Sequence, residues 1–193
     1  MRQSRAATPR SVVHAREELS LQGGELRIVA VADTHGRPHP ALGTRIEELR
    51  PAHILHAGDV GDLGVLRDLE RYAPVTAVRG NIDGRELPDL VTIEVRGDGG
   101  TLLRILLTHI AVYGPRLRAD VARTARAEDA SLVVCGHSHV PFAAHEGDVT
   151  VFNPGSVGPR RFRLPIVLGA IDVNPKGVSV RHVDCETGLP WRP

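Results

Sequence analysis

The chain has 193 residues, 41% of them hydrophobic and only 3% aromatic, with a formal net charge of +1. That length suits one domain with a tail, and the near-neutral charge and scarce aromatic rings argue against a surface that grips a nucleic-acid polymer. No run reaches the ~20 apolar residues of a membrane span, the N-terminus lacks the apolar core of a secretory leader, and two cysteines (Cys135, Cys185) are too few for a disulfide framework, so a cytoplasmic, reducing compartment is expected.

Residues 1–24 mix Arg, Ser, Thr, Pro and Gly with little periodicity and read as a flexible N-terminal arm before one domain over 25–193. Leu26–Ala32, broken only by Arg27, reads as a buried strand. Pro40–Arg50 suits a helix, with Leu42, Ile46 and Leu49 at helical spacing and Pro51 ending it. Ile54–His56 is a second short strand, Asp62 is placed to cap a helix reaching Arg71, and Val75–Val78 is a third strand. This alternation predicts a parallel α/β beginning. Leu90–Val95 and Leu102–Thr108 then flank Gly97-Asp98-Gly99-Gly100, a hairpin pattern, and Arg116–Asp129 suits a helix. Leu132–Cys135 is a short buried strand, followed by four more over Pro141–Ala144, Val149–Phe152, Ile166–Val173 and Val178–Val183. The whole predicts an α/β fold, a four-layered α/β/β/α sandwich of two mixed β-sheets flanked by helices.

Chemistry-bearing residues fall directly after the predicted strands: Asp33-Thr34-His35, Gly58-Asp59, Gly80-Asn81, His109 and Gly136-His137-Ser138-His139. In open α/β sheets, sites form beyond the carboxyl ends of strands. Taken singly, Asp33 and Asn81 read as turn residues, and His137 and His139 as solvated loop histidines. Their occurrence as an ordered set points instead to a metal site. Carboxylate, carboxamide oxygen and imidazole together suit borderline divalent ions, with Mn expected first and Fe, Ni or Zn next. A carboxylate able to bridge two such ions implies metal-assisted attack on phosphate esters.

With these motifs, the chain resembles the calcineurin-like metallophosphoesterases from about Arg27 to Val183, and most of all their small, single-domain phosphodiesterase branch, which is also similar to the retromer scaffold subunit. The resemblance implies two divalent metal ions. Asp33, His35 and His139 would ligate the first, Asn81, His109 and His137 the second, and Asp59 would bridge. A bridging hydroxide would then attack phosphorus. Asn153-Pro154-Gly155-Ser156 is similar to a turn that closes the site in this branch. Two departures stand out. Ile82 follows the Asn ligand where larger relatives carry a proton-donating His, leaving Asp83 as the nearby carboxylate and catalytic candidate beside Asp59 and Asn81. Ile110-Ala111 replaces the usual Gly-His after His109, and a β-branched Ile resists φ > 0, so a rebuilt loop is expected there.

Arg160 and Arg161, whose guanidinium groups match phosphate bidentately, and Ser156 of the closing turn are the candidate substrate-binding residues, set against the plainer reading of the arginines as a solvated charge run. His56 is a candidate support for the ligands, and His14, His39, His53, His145 and His182 are assigned no metal role. The expected partner is a small phosphate ester. The Trp191 tail and the arm are the surfaces on which a homo-oligomer contact could form. The expected activity is phosphodiester hydrolysis, with monoesters as further candidates. The alternatives are a non-catalytic protein-binding scaffold with a retained metal site, or a nuclease.

Overall fold

The computed structural model of the protein describes residues 11–21 and 24–192. In chain order its elements are β1 (His14–Ser20), β2 (Leu26–Val31), α1 (Leu42–Leu49), β3 (His53–His56), α2 (Gly64–Leu69), β4 (Val75–Ala77), β5 (Leu90–Gly97) and β6 (Gly100–Thr108). The small hairpin β7 (Val112–Tyr113) and β8 (Arg116–Leu117) follows, then α3 (Ala119–Ala127) and β9 (Leu132–Val134). The remaining strands are β10 (Phe142–Glu146), β11 (Val149–Asn153), β12 (Val167–Asn174), β13 (Gly177–Asp184) and β14 (Pro190–Trp191).

Two six-stranded mixed sheets result, ordered β14-β13-β12-β2-β3-β4 and β1-β5-β6-β9-β11-β10. β2, β3 and β4 are mutually parallel in the first, and β6, β9 and β11 in the second. Strands that bury both faces read as unbroken apolar runs, which is why Ile28–Val31 and Leu132–Val134 are wholly buried. Ile28, Ala30, Ile171, Ile93, Ile105, Leu107, Val134 and Phe152 pack in the layer between the sheets. Val29, Val31, Ile54 and Leu168 face the other way, onto Leu42 and Ile46 of α1 and Val65 and Leu69 of α2. Leu106, Val133 and Val151 meet Val121 and Ala125 of α3. The expected four layers are therefore present.

Three local expectations are corrected. His14–Ser20 is not part of a loose arm but an edge strand pairing in parallel with β5 from His14↔Leu90 to Ser20↔Arg96; residues 1–10 lie outside the described residues. Its inward positions Ala15 and Leu19 pack on the inter-sheet core, but Glu17 falls between them at period 2. That carboxylate hides the alternation in the sequence, because it accepts a hydrogen bond from Thr76 of the other sheet and lies 3.7 Å from His53 Nε2. Helices α2 and α3 are shorter than expected. Asp62 stands one residue before the N-cap Leu63 and accepts from Gly64 N at 2.8 Å, and Arg116–Leu117 turns back onto Val112–Tyr113 across Gly114-Pro115. Trp191 is half-buried in β14, edge-on to the His182 ring with centroids 5.6 Å apart. No helix among the described residues is long and apolar enough to cross a membrane.

Candidate metal centre

The carboxyl ends of β2, β3, β4, β6, β9 and β11 converge from both sheets, and every candidate ligand sits in the loops that leave them. Backbone bonds lace these loops together: Asp33 N donates to Gly58 O (3.0 Å), His35 N to Asp59 O (3.0 Å) and Gly136 N to His109 O (3.0 Å). Five candidate ligands adopt left-handed φ: Asp33 (56°), His35 (49°), Asp59 (53°), His137 (69°) and His139 (58°). Each such residue costs about 1–2 kcal/mol for a non-glycine side chain, and strain of this kind collects where function fixes a geometry.

The ligand atoms form two groups, Asp33-His35-His139 and Asp59-His109-His137, each with its donor atoms within 4.8 Å of one another. In the first, His35 Nε2 and His139 Nε2 lie 3.3 Å apart, and Asp33 Oδ1 is 3.5 Å from His139 Nε2. Asp33 Oδ2 accepts from His137 N at 3.0 Å, whereas Asp33 Oδ1 is buried with no hydrogen-bond partner among the described residues. A buried carboxylate oxygen left unpaired beside two imidazole nitrogens is costly unless a cation takes the space between them. In the second group, His109 Nδ1 donates to Ala57 O (2.7 Å), which leaves Nε2 facing Asp59 Oδ1 (3.3 Å) and Asn81 Oδ1 (3.2 Å). Asn81 Oδ1 is also 3.0 Å from His137 Nδ1. Asp59 spans the groups, with Oδ2 4.0 Å from His35 Nε2.

Electrostatics suit the same use. Burial pushes Asp33 up to about 7, partly opposed by the His109 charge. Desolvation would also raise Asp59, but its hydrogen bond and charge interaction with His109 outweigh it and hold it at about 2. His139 is lowered to about 4 by burial and then by Arg161, and burial also lowers His35 and His137. Neutral imidazoles with free lone pairs are what divalent ions bind. His109 differs, because against desolvation its contacts with Asp59, Ala57 O and Asp33 raise it, so a metal there would displace its Nε2 proton.

The other site candidates separate. Arg161 reaches the site, its guanidinium 3.3 Å from His35 Nε2. Arg160 does not: it donates to Leu164 O at 2.8 Å and pairs with Glu186. Ser156 is buried beneath the first group, where its hydroxyl donates to Asp33 O (3.2 Å). Asp83 spends both oxygens on backbone, accepting from Val60 N (3.1 Å), Gly61 N (2.8 Å) and Gly80 N (2.7 Å). Ile82 is 51% exposed, and its aliphatic side chain offers no proton in the place after Asn81. Ile110 lies outside the left-handed region, and the chain runs from His109 through buried Ala111 into β7.

Sequence reasoning left His56 undecided and passed over Thr34. Gly58 N donates to His56 Nδ1 (3.2 Å), so His56 Nε2 carries the proton, donates to Thr34 Oγ1 (2.9 Å), and Thr34 donates to Val60 O (3.0 Å). This buried chain ties the first ligand loop to the second. Asn153 does the same for the histidine loop, donating to Gly136 O at 2.8 Å and Ser138 Oγ at 3.1 Å.

Residues 26–176 match the calcineurin-like phosphoesterase superfamily domain, and the chain belongs to that family. It is 30% identical over 160 residues to a probable metallophosphoesterase of Methanocaldococcus jannaschii, covering 78% of this chain and 77% of the relative. It is also 30% identical over 168 residues to the phosphodiesterase YfcE of Escherichia coli, covering 76% and 88%. Among solved structures it is similar in fold to Vps29 of Entamoeba histolytica complexed with zinc (TM-score 0.67, 19% identity, 86% and 96% covered). An archaeal phosphodiesterase is likewise similar in fold (TM-score 0.62, 19% identity, 82% and 99% covered).

Proposed function

We propose that the protein is a metal-dependent hydrolase of phosphodiesters with a dinuclear centre. The observation that carries this reading is the Asp59 carboxylate set between two ligand triads, one oxygen facing His109 Nε2 at 3.3 Å and the other His35 Nε2 at 4.0 Å. Asp33, His35 and His139 would hold one divalent ion and Asn81, His109 and His137 the other, with Asp59 shared; Mn is favoured, ahead of Fe, Ni or Zn. Bound there, the ions supply an acidified water and screening of the phosphoryl charge. Water adds across one P–O bond, so its oxygen joins phosphorus, the alcohol departs and the proton balance is met from solvent. Arg161, at the rim beside His35, orients a phosphoryl oxygen. Asp83 and Ser156 act through the loops they hold. With Ile82 after Asn81, departing groups that need little protonation are favoured, aryl esters among them.

The test is hydrolysis of bis-p-nitrophenyl phosphate by metal-stripped protein with Mn restored. Turnover is expected to return with Mn and to vanish in Asp59→Asn and His137→Ala; unchanged activity in both variants defeats the reading. A partner-binding reading has one observation in its favour. Ile82, Val140 and Phe162 are 51%, 44% and 93% exposed, and each directly follows Asn81, His139 or Arg161. It predicts bound metal without turnover.

A further inference from the structure

A cleft of about 690 Å³ opens beside the Asn81 and His109 end of the centre. Leu90 and Leu106 floor it, Val121 and Thr124 of α3 wall it, and Ile110 stands at its junction with His109. Its volume lies within the roughly 300–1,000 Å³ of small-molecule sites. The charged side chains that line it are already paired. Arg79 Nε donates to Asp89 Oδ1 at 2.7 Å, and Arg118 donates to Asp120 from Nε at 3.1 Å and from a terminal nitrogen at 2.9 Å. His14 Nε2 is engaged by Thr92 Oγ1 at 2.8 Å. Polar and apolar surface therefore line the cleft in near-equal measure, and among the described residues its arginines are already paired with carboxylates, leaving no spare arginine there for a second anionic group.

We propose that this cleft receives an uncharged, ring-bearing ester group of the substrate, which makes the protein selective for phosphodiesters of aryl-sized or nucleoside-sized neutral alcohols. The assignment rests on the phosphoesterase reading for what the centre does, but its geometry is independent of turnover. The Ile at position 110 takes on a purpose here: where a glycine would leave the junction bare, its side chain continues the apolar wall from the ligand His109 into the cleft.

The test compares equilibrium binding of diphenyl phosphate and dimethyl phosphate, two diesters of equal charge, to the Zn-loaded protein by calorimetry. Amide shifts locate the bound molecule, and bis-p-nitrophenyl phosphate reports turnover. Diphenyl phosphate is expected to bind at least tenfold more tightly and to move the amides of Leu106, Val121 and Thr124. Thr124→Trp, which fills the cleft from a half-exposed helix position, is expected to erase that preference while leaving dimethyl phosphate affinity and metal content unchanged. Thr124→Tyr is the smaller fill should Trp disturb the helix. A diphenyl preference that survives both variants, or shifts confined to another surface, overturns the proposal even where wild-type protein hydrolyses bis-p-nitrophenyl phosphate. A cleft-dependent preference in a protein that hydrolyses no ester upholds the cleft and removes the hydrolase reading instead.

Discussion

Gly80→Ala probes the centre through one methyl group. A Cβ on Gly80 would stand 2.0 Å from Asp59 Oδ1 and 2.2 Å from Asp59 N. An ordinary carbon–oxygen contact is about 3.3 Å or more, so more than about 1 Å of relief is needed. Neither side is free to give it. Gly80 N is held by Asp83 at 2.7 Å, and Ile82 N donates to Asp59 Oδ1 at 3.2 Å. Overpacking of this kind costs about 1–3 kcal/mol or more, and a ligand misplaced by ~1 Å can cost on the order of 10²-fold in rate. Metal content after dialysis against Mn, the urea midpoint and turnover of bis-p-nitrophenyl phosphate are measured together. Gly99→Ala serves as control, because a Cβ there meets nothing within 4 Å. Gly80→Ala should lose at least one bound ion and about 10²-fold in turnover. Retention of full metal content and wild-type rate in that variant refutes the placement of Asp59 between the triads.

Asp83→Ala removes the acceptor of three backbone donors. Discounted for partial exposure, this should lower stability by about 3 kcal/mol in urea unfolding and weaken Mn binding, with Asp83→Asn intermediate. Ser156→Ala should cost about 1 kcal/mol with turnover nearly retained, since its hydroxyl supports Asp33 O from below; a large KM effect would show direct substrate contact instead. Arg161→Ala should raise KM about tenfold at unchanged metal content, and Arg160→Ala should not. His56 is fully buried and lowered to about 4 by desolvation, from 6.5 when unfolded. It is neutral in the fold, so its contribution is complete above pH 6.5 and lost as pH falls toward 4. Between pH 7 and pH 5 this amounts to about 2 kcal/mol of the metal-free protein's stability. His56→Gln should flatten the pH dependence by that amount, and an unaltered dependence would contradict it.

The layers, and the gathering of the candidate ligands at one end of the sheets, were legible because the signals were local. Apolar runs such as Leu26–Ala32 announced buried strands, and each ligand stood just past one. What stayed hidden depends on contacts across the chain. Glu17 masks the alternation of β1 because its partners, Thr76 and His53, lie on the opposite sheet. Arg160 and Arg161 are adjacent in sequence, yet only the fold distinguishes them, since Glu186 captures one and His35 receives the other. Asp83 offered the sequence a free carboxylate, but three backbone donors from two loops consume it. The Thr34–His56 chain links loops 22 residues apart and has no motif to announce it.

The most direct test of the central claim is metal analysis of the protein with hydrolysis of bis-p-nitrophenyl phosphate, before chelation, after it, and with Mn restored. Two divalent ions per chain, turnover that follows the metal, and loss of both in Asp59→Asn are the predicted results. Hydrolysis that persists in metal-stripped protein, or in Asp59→Asn at wild-type rate, would contradict a dinuclear phosphodiesterase built on Asp59.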